Sequence, residues 1–285
     1  MRPRSQQTVR GAVAVTGVGY WSGRPVRVGI EPAEAGAGIV FERVGAGGTA
    51  RIPVSLASRV DAVNRTALVA EGGRVEMVEH LLSALAGLGV DACVVRIDAD
   101  ELPGLDGSAL AFVEAIDAVG LRDLGVATDP VVVDEPIRVA DGDAWIEAHP
   151  PVHDGLSVAY DLDYGPGPIG RQSFAVDLTP AAYRRELAAA RTFVLEAEAE
   201  RLRSAGLGLA ATPRDLLVFA ADGPVDNVLR WPDECVRHKL LDLVGDLSLV
   251  GRPIHARIHA SRSGHRLNAR MADALAASSG RLATA

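Results

Sequence analysis

The sequence predicts an α+β fold built from two similar halves, each a mainly antiparallel sheet layered with helices, with a site between them. Three observations lead there. Alternating runs at PVRVGIE (25–31) and GIVFERV (38–44) have the two-residue period of half-buried strands, whereas VEHLLSALAGLG (78–89) sets Leu81, Leu82, Leu85 and Leu88 at helical spacing. The same succession returns later, where AWIEAHPP (144–151) and GLSVAYDLDY (155–164) precede the helical run RHKLLDLVGDLSLVG (237–251). The turns match as well: Pro32 and Gly36 have the spacing of Pro151 and Gly155, and His80 and His238 both fall early in the corresponding helix.

At the start, MRPRSQQTVRGAVAVTGVGY puts Arg2, Arg4 and Arg10 ahead of a short apolar stretch, as a signal peptide would. Gly17 and Gly19 interrupt that stretch and polar sequence follows, so it reads as a first β-strand. TGVGYWSG (16–23) is a strand-to-strand turn, lacking both the GxGxxG spacing and the following helix of a dinucleotide site. The strands at 25–31 and 38–44 are expected to form a hairpin through Pro32, Gly36 and Gly38. Beyond the first helix come the strand CVVRIDA (93–99), the loop ELPGLDGS (101–108) and the amphipathic helix ALAFVEAIDAVGL (109–121). Polar, proline-ended RDLGVATDP (122–130) marks the join, dividing the chain into a first domain at 1–125 and a second at 126–285. The second carries an inserted helical segment near 194–210, where LEAEAERLRSAG (195–206) has no counterpart in the first. The strand PIHARIHA (253–260), the loop SRSGH (261–265) and the helix LNARMADALAA (267–277) close the chain.

Composition excludes several classes of function. With 285 residues, 48% hydrophobic and 23% charged, the chain has the composition of a globular protein rather than of a disordered or coiled-coil one. A net charge of −8 with no basic block removes the electrostatic footprint of a nucleic-acid binder. No apolar run approaches the ~18 residues of a membrane span. Cys93 and Cys235 are too few and too isolated for a disulfide framework or a zinc ribbon, which fits a reducing compartment, so a cytoplasmic location is expected; no motif names a protein partner, and a monomer is the default.

VRHKLLDLVGD places His238, Asp242 and Asp246 four residues apart, aligned along one helix face at about 6 Å of rise per step. An imidazole and a carboxylate one turn apart reach a single ion, and this nitrogen and oxygen set suits zinc; the same pattern also describes a polar helix face. Glu79 and His80, about 100° apart on the equivalent helix, either join that site or cap their helix. In the first case His80, His238 and Asp242 supply three ligands, a fourth position stays open, and Glu79 is the base for the attacking water. His265, after a flexible loop, is a candidate acid that Asp246 keeps charged and oriented. His255 and His259 are read as strand residues with no adjacent carboxylate, His149 and His153 as exposed flanks of a turn, and Cys235 as a packed thiol.

At these residues the sequence resembles the zinc-dependent UDP-3-O-acyl-N-acetylglucosamine deacetylases, which carry out the committed step of lipid A biosynthesis. The resemblance runs from TGVGYWSG to the final helix near 277 and is most specific at VEHLLSALAGLG, LDGSA (105–109), ARTF (190–193), VRHKLLDLVGDL and SGHRLN (263–268). It implies two α+β domains with the active site between them, zinc on His80, His238 and Asp242 with ferrous iron the alternative metal, and Glu79 as general base. It further implies that Thr192 polarises the acetamide carbonyl, that His265 is the acid supported by Asp246, and that Lys239 meets substrate near the phosphates. Phe193 would pack on the sugar or acyl region, and Tyr164, preceded by Asp163, on uracil. The implied partner is a small UDP-sugar lipid.

The sequence departs from the family at Trp21, where a histidine is common, at Ala144, where a lysine is common, and at LAATPRDL (209–216), where a GGS-like loop is usual. Two alternatives follow: a deacetylase of a different N-acetylated sugar or nucleotide sugar, and a non-catalytic zinc-containing sugar-nucleotide binding protein.

Overall fold

The computed structural model describes residues 4–45 and 47–281. Its backbone is organised around two open sheets. The first contains β1 (Val13–Val18), β2 (Pro25–Pro32), β3 (Ile39–Gly45), β4 (Gly48–Pro53) and β5 (Cys93–Ile97), in the spatial order β1-β2-β5-β3-β4. The second contains β6 (Ile137–Asp141), β7 (Ala144–His149), β8 (Leu156–Asp163), β9 (Arg171–Asp177) and β10 (Ile254–Ser261), in the order β6-β7-β10-β8-β9. These are the same permutation. In each sheet the last strand is central and runs parallel to the third, β5 to β3 and β10 to β8, while the other neighbours are antiparallel. Val131–Val132 adds a short parallel pairing to β10.

Six helices complete the described chain: α1 (Glu79–Leu88), α2 (Leu110–Val119), α3 (Pro180–Glu186), α4 (Glu196–Ser204), α5 (Glu234–Leu247) and α6 (His265–Arg281). The equivalence extends to them, since α1 and α2 bracket β5 as α5 and α6 bracket β10. α1 stops where Gly89 adopts a left-handed backbone (φ 79°) and its N–H, with that of Val90, returns to the last turn. No helix among the described residues is long and apolar enough to cross a membrane.

The expected hairpin of β2 and β3 does not form, because β5 lies between them, and β10 separates β7 from β8 in the same way. The connections from Pro32 to Ile39 and from His149 to Leu156 arch over the width of a strand, leaving a slot that buried Val95 and Ile97, or Ile258 and Ala260, later fill. The segment read as a polar join contains a strand, Leu121–Ala127, paired antiparallel with Ser5–Val9.

One apolar core runs through both halves, with α1 packed along α5 at its centre. Gly245 permits this contact, because a Cβ there would lie 2.2 Å from the Glu79 carbonyl oxygen. The first turn of α1 is thereby held against the second half of α5. Each half also has a three-stranded side sheet, Arg59–Val60, Ala67–Ala70 and Gly73–Glu76 in one, Phe193–Leu195, Leu217–Ala220 and Gly223–Pro224 in the other. The second of these carries α4, the inserted helix.

Candidate active site

α5 is buried along its whole length except at Lys239, so its polar stripe faces neighbouring chain rather than water. His238 Nδ1 lies 3.0 Å from the Ala190 carbonyl oxygen; a carbonyl only accepts, so Nδ1 carries a hydrogen and Nε2 is the ring nitrogen left to face the site. That Nε2 is 3.2 Å from Asp242 Oδ1. His80 Nε2 approaches the same oxygen at 3.7 Å, its ring edge-on to His238 with centroids 5.0 Å apart. Burial and the neighbouring His238 push His80 down to about 3, so it is a neutral imidazole. Burial alone would raise Asp242, but His238 and Lys239 outweigh it and hold the carboxyl well below its ordinary value. Two imidazoles and a carboxylate, with ligand atoms all within 4.8 Å of one another, fit a divalent metal ion.

Beside this set stand two titratable groups of opposite character. Glu79 is 2% exposed, and burial raises its carboxyl to about 7, against the opposing pull of His265. Its Oε2 accepts from the Thr66 backbone N–H at 3.0 Å. His265 Nδ1 donates to Asp246 Oδ2 at 2.8 Å. Burial would lower His265, but the charge of Asp246 and this hydrogen bond overcome it and lift the imidazole to about 9. Asp246 is fully buried and also accepts from the Thr66 hydroxyl at 2.5 Å and the Asn268 amide at 2.8 Å. Three donors thus converge on one buried carboxylate.

His238, Lys239, Asp242, His265 and Thr192 line a cavity of about 500 Å³, with Glu79 and His80 almost wholly buried against them. Thr192 is fixed from both sides: its N–H donates to Gly107 O at 2.8 Å, and its carbonyl accepts from Leu217 N at 2.9 Å. Next to it, Arg191 makes a buried ion pair with Glu234 at 2.7 Å, tying the ARTF segment to the first turn of α5. Phe193 packs between Tyr164 (centroids 5.6 Å apart) and His238 (6.3 Å), and both aromatics face the cavity. Lys239 also lines it, but its ammonium is bound to Asp242 Oδ2 at 2.9 Å. Asp163 does not line it; its carboxylate holds Arg262, which does, at 2.5 Å, and that hydrogen bond lowers Asp163 to about 2.

Trp21 and Ala144 both border this cavity, as do Ala211, Thr212 and Leu216 of the 209–216 loop. Trp21 donates to Met77 Sδ at 3.3 Å, and the Arg65 guanidinium stacks 4.7 Å from its ring. His255 and His259 lie in β10 as expected, but His259 does find a carboxylate, Asp161 on the neighbouring strand at 2.8 Å. His153 is exposed, whereas His149 is half-buried beside Glu147. Cys235 is a buried free thiol.

Thr66, Asn268, Glu234 and the Ala190 carbonyl were not singled out in the sequence. Glu234 alone left a readable signal, standing four residues before His238 on the same stripe.

A sequence model of the family described as UDP-3-O-acyl N-acetylglycosamine deacetylase matches residues 6–277. Among curated proteins, the UDP-3-O-acyl-N-acetylglucosamine deacetylase of Anaeromyxobacter dehalogenans is 40% identical over 267 residues, 93% of this chain and 85% of its own. Proteins of the same name from Leptospira biflexa and Brucella ovis are 37% and 38% identical, covering 94% and 95% of this chain and 88% and 94% of their own.

Proposed function

The chain belongs to the UDP-3-O-acyl N-acetylglycosamine deacetylase family, and from that premise we propose that it removes acetate from the 2-acetamido group of UDP-3-O-acyl-N-acetylglucosamine, in lipid A biosynthesis. The observation that carries this reading is the meeting of a His, His and Asp donor set with a buried carboxylic base and a charged imidazole at the base of one cavity. His80, His238 and Asp242 would hold zinc, with ferrous iron the alternative; the metal when bound supplies Lewis acidity toward the acetamide carbonyl and acidifies water.

The remaining steps belong to side chains. Glu79, made more basic by burial, takes a proton from the attacking water as its oxygen bonds to the acetyl carbon. Thr192 donates its hydroxyl hydrogen to the carbonyl oxygen as negative charge develops there. Since Nδ1 of His265 is engaged with Asp246, its Nε2–H is the proton given to the departing nitrogen as the C–N bond breaks, and acetate and a free amine result. Phe193 and Tyr164 supply apolar walls for the sugar and uracil, Lys239 orients Asp242 and meets substrate, and Asp163 acts through Arg262. A cytoplasmic, monomeric enzyme is proposed, a location that the buried free thiols of Cys93 and Cys235 suit.

The test is acetate release from the UDP substrate by protein of known metal content, before and after chelation and zinc return. Release should vanish with the chelator and come back with zinc. Glu79→Ala should retain the metal and lose about 10²-fold or more of turnover; near-full turnover in that variant would remove Glu79 from the mechanism. No release from zinc-loaded, folded protein would transfer the reading to another N-acetylated sugar, with Trp21 and Ala144 the first positions to change.

A further inference from the structure

Thr66 lies in the first half of the chain, at the edge of a side-sheet strand, is 2% exposed and carries no charge. It nonetheless joins the two proton-handling groups of the proposed mechanism. Its backbone N–H donates to Glu79 Oε2 at 3.0 Å, and its hydroxyl donates to Asp246 Oδ1 at 2.5 Å. The same hydroxyl oxygen lies 3.5 Å from His265 Nδ1. Glu79 is on α1, Asp246 on α5 and His265 at the start of α6, so three helices from both halves converge on one residue.

We infer that Thr66 is a positioning residue for the deacetylation, holding the Glu79 base and the Asp246–His265 acid in register across the junction of the two halves. The inference rests on the roles assigned to Glu79 and His265 above. Its physical basis is the difference between the two hydrogen bonds. Any residue but proline at 66 offers a backbone N–H to Glu79, but only a hydroxyl reaches Asp246 as well. Asp246 turns its other oxygen to His265 and Asn268, so the Thr66 hydroxyl is what fixes the carboxylate's rotation. Without it the plane of Asp246 swings about the two remaining bonds, and the imidazole swings with it. A proton donor displaced by a fraction of an ångström loses rate while substrate binding is spared.

Thr66→Val conserves shape and the backbone N–H and removes only the hydroxyl. It should lower kcat by about 10- to 100-fold, with KM within about twofold and bound metal unchanged, and Thr66→Ser should restore kcat to within a few-fold of the parent. In an Asp246→Asn background, Thr66→Val should add less than about twofold, because two residues acting through one carboxylate are not additive. A kcat within twofold of the parent in Thr66→Val, a full additive loss on top of Asp246→Asn, or no rescue by serine would each overturn the inference. Should the valine variant fail to fold, Thr66→Ala carries the same expectations without added bulk. A second readout needs no turnover: the 15N signal of His265 Nδ1 should move in Thr66→Val and return in Thr66→Ser. If the parent protein releases no acetate, the deacetylase reading fails by itself, and an unmoved His265 signal would separately sink the positioning role.

Discussion

α1 and α5 hold the same place in the two halves, yet they share the work unequally. α1 spends its first two residues, Glu79 and His80, on the site and the rest on packing, with Leu81, Leu82, Ala84, Leu85 and Leu88 all buried. α5 presents Glu234, His238, Asp242 and Asp246 every fourth residue, and all four are buried. Burying ionisable groups in one helix is costly unless each has a partner. Here each has one: Arg191 for Glu234, the Ala190 carbonyl for His238, Lys239 for Asp242, and Thr66, His265 and Asn268 for Asp246. A duplicated scaffold thus supplies two equivalent helices, and the site arises only where the first turn of one meets the polar stripe of the other.

The sharpest way to break this comparison is to push the helices apart. In Gly245→Val, a Cβ 2.2 Å from the Glu79 carbonyl meets backbone, which cannot rotate away. Overpacking of this kind costs about 1–3 kcal/mol, and more where the backbone must move. Urea unfolding should show a loss at or above the top of that range, and metal affinity should fall with it, since His80 follows Glu79. An unchanged midpoint with metal retained would mean that the contact of α1 with α5 does not set the site.

Asp246→Asn tests the stripe without moving a helix. His265 is raised to about 9 by Asp246 against the opposing effect of burial, so it stays protonated through neutral pH. The sign follows from the raised value. The stability this pair contributes is fully present below the ordinary histidine value of about 6.5, and it is lost as pH rises through about 9. Deprotonation should define the alkaline limb of kcat/KM. With asparagine at 246, burial is left without its main opponent, and the limb should move to the acid side, with turnover at pH 7.5 down about 10²-fold. A pH–rate profile whose alkaline limb is the same in both proteins would remove His265 as the acid.

These contrasts also explain what could be read in the sequence. The spacing of His238, Asp242 and Asp246 was legible because a helix converts sequence distance into a face, and His80 because its helix repeats the pattern around His238. The inner strands of both sheets were legible but their pairings were not, and the edge strands β4, β6 and β9 went unread, since alternation in β2 or β3 says which face is buried and nothing about the strand that comes between. Thr66 left no trace: it meets Asp246 across 180 residues of chain, and a lone threonine beside a strand has no periodicity to betray it. Asp163 precedes the aromatic Tyr164 and so stood out as a substrate contact, whereas the fold turns it toward Arg262. His259 finds Asp161 only through the register of β8 against β10.

The smallest effect should come from α1 beyond its first turn, where the comparison predicts packing and nothing else. Ser83 is completely buried and accepts a hydrogen bond from the Tyr183 hydroxyl at 2.9 Å, in a contact that Gly87 makes possible by leaving room for the same ring. Ser83→Ala strands that phenol among apolar neighbours, which costs about 1–3 kcal/mol. Burial already pushes the Tyr183 phenol well above its ordinary value, so the stranded group stays neutral and the cost appears as lost stability. The urea midpoint should fall accordingly, while kcat, KM and metal content stay within about twofold of the parent in stability-matched conditions. A fall in kcat at full metal occupancy would show that the body of α1 also tunes the site, and the division of labour between the two helices would then be less complete than their burial patterns imply.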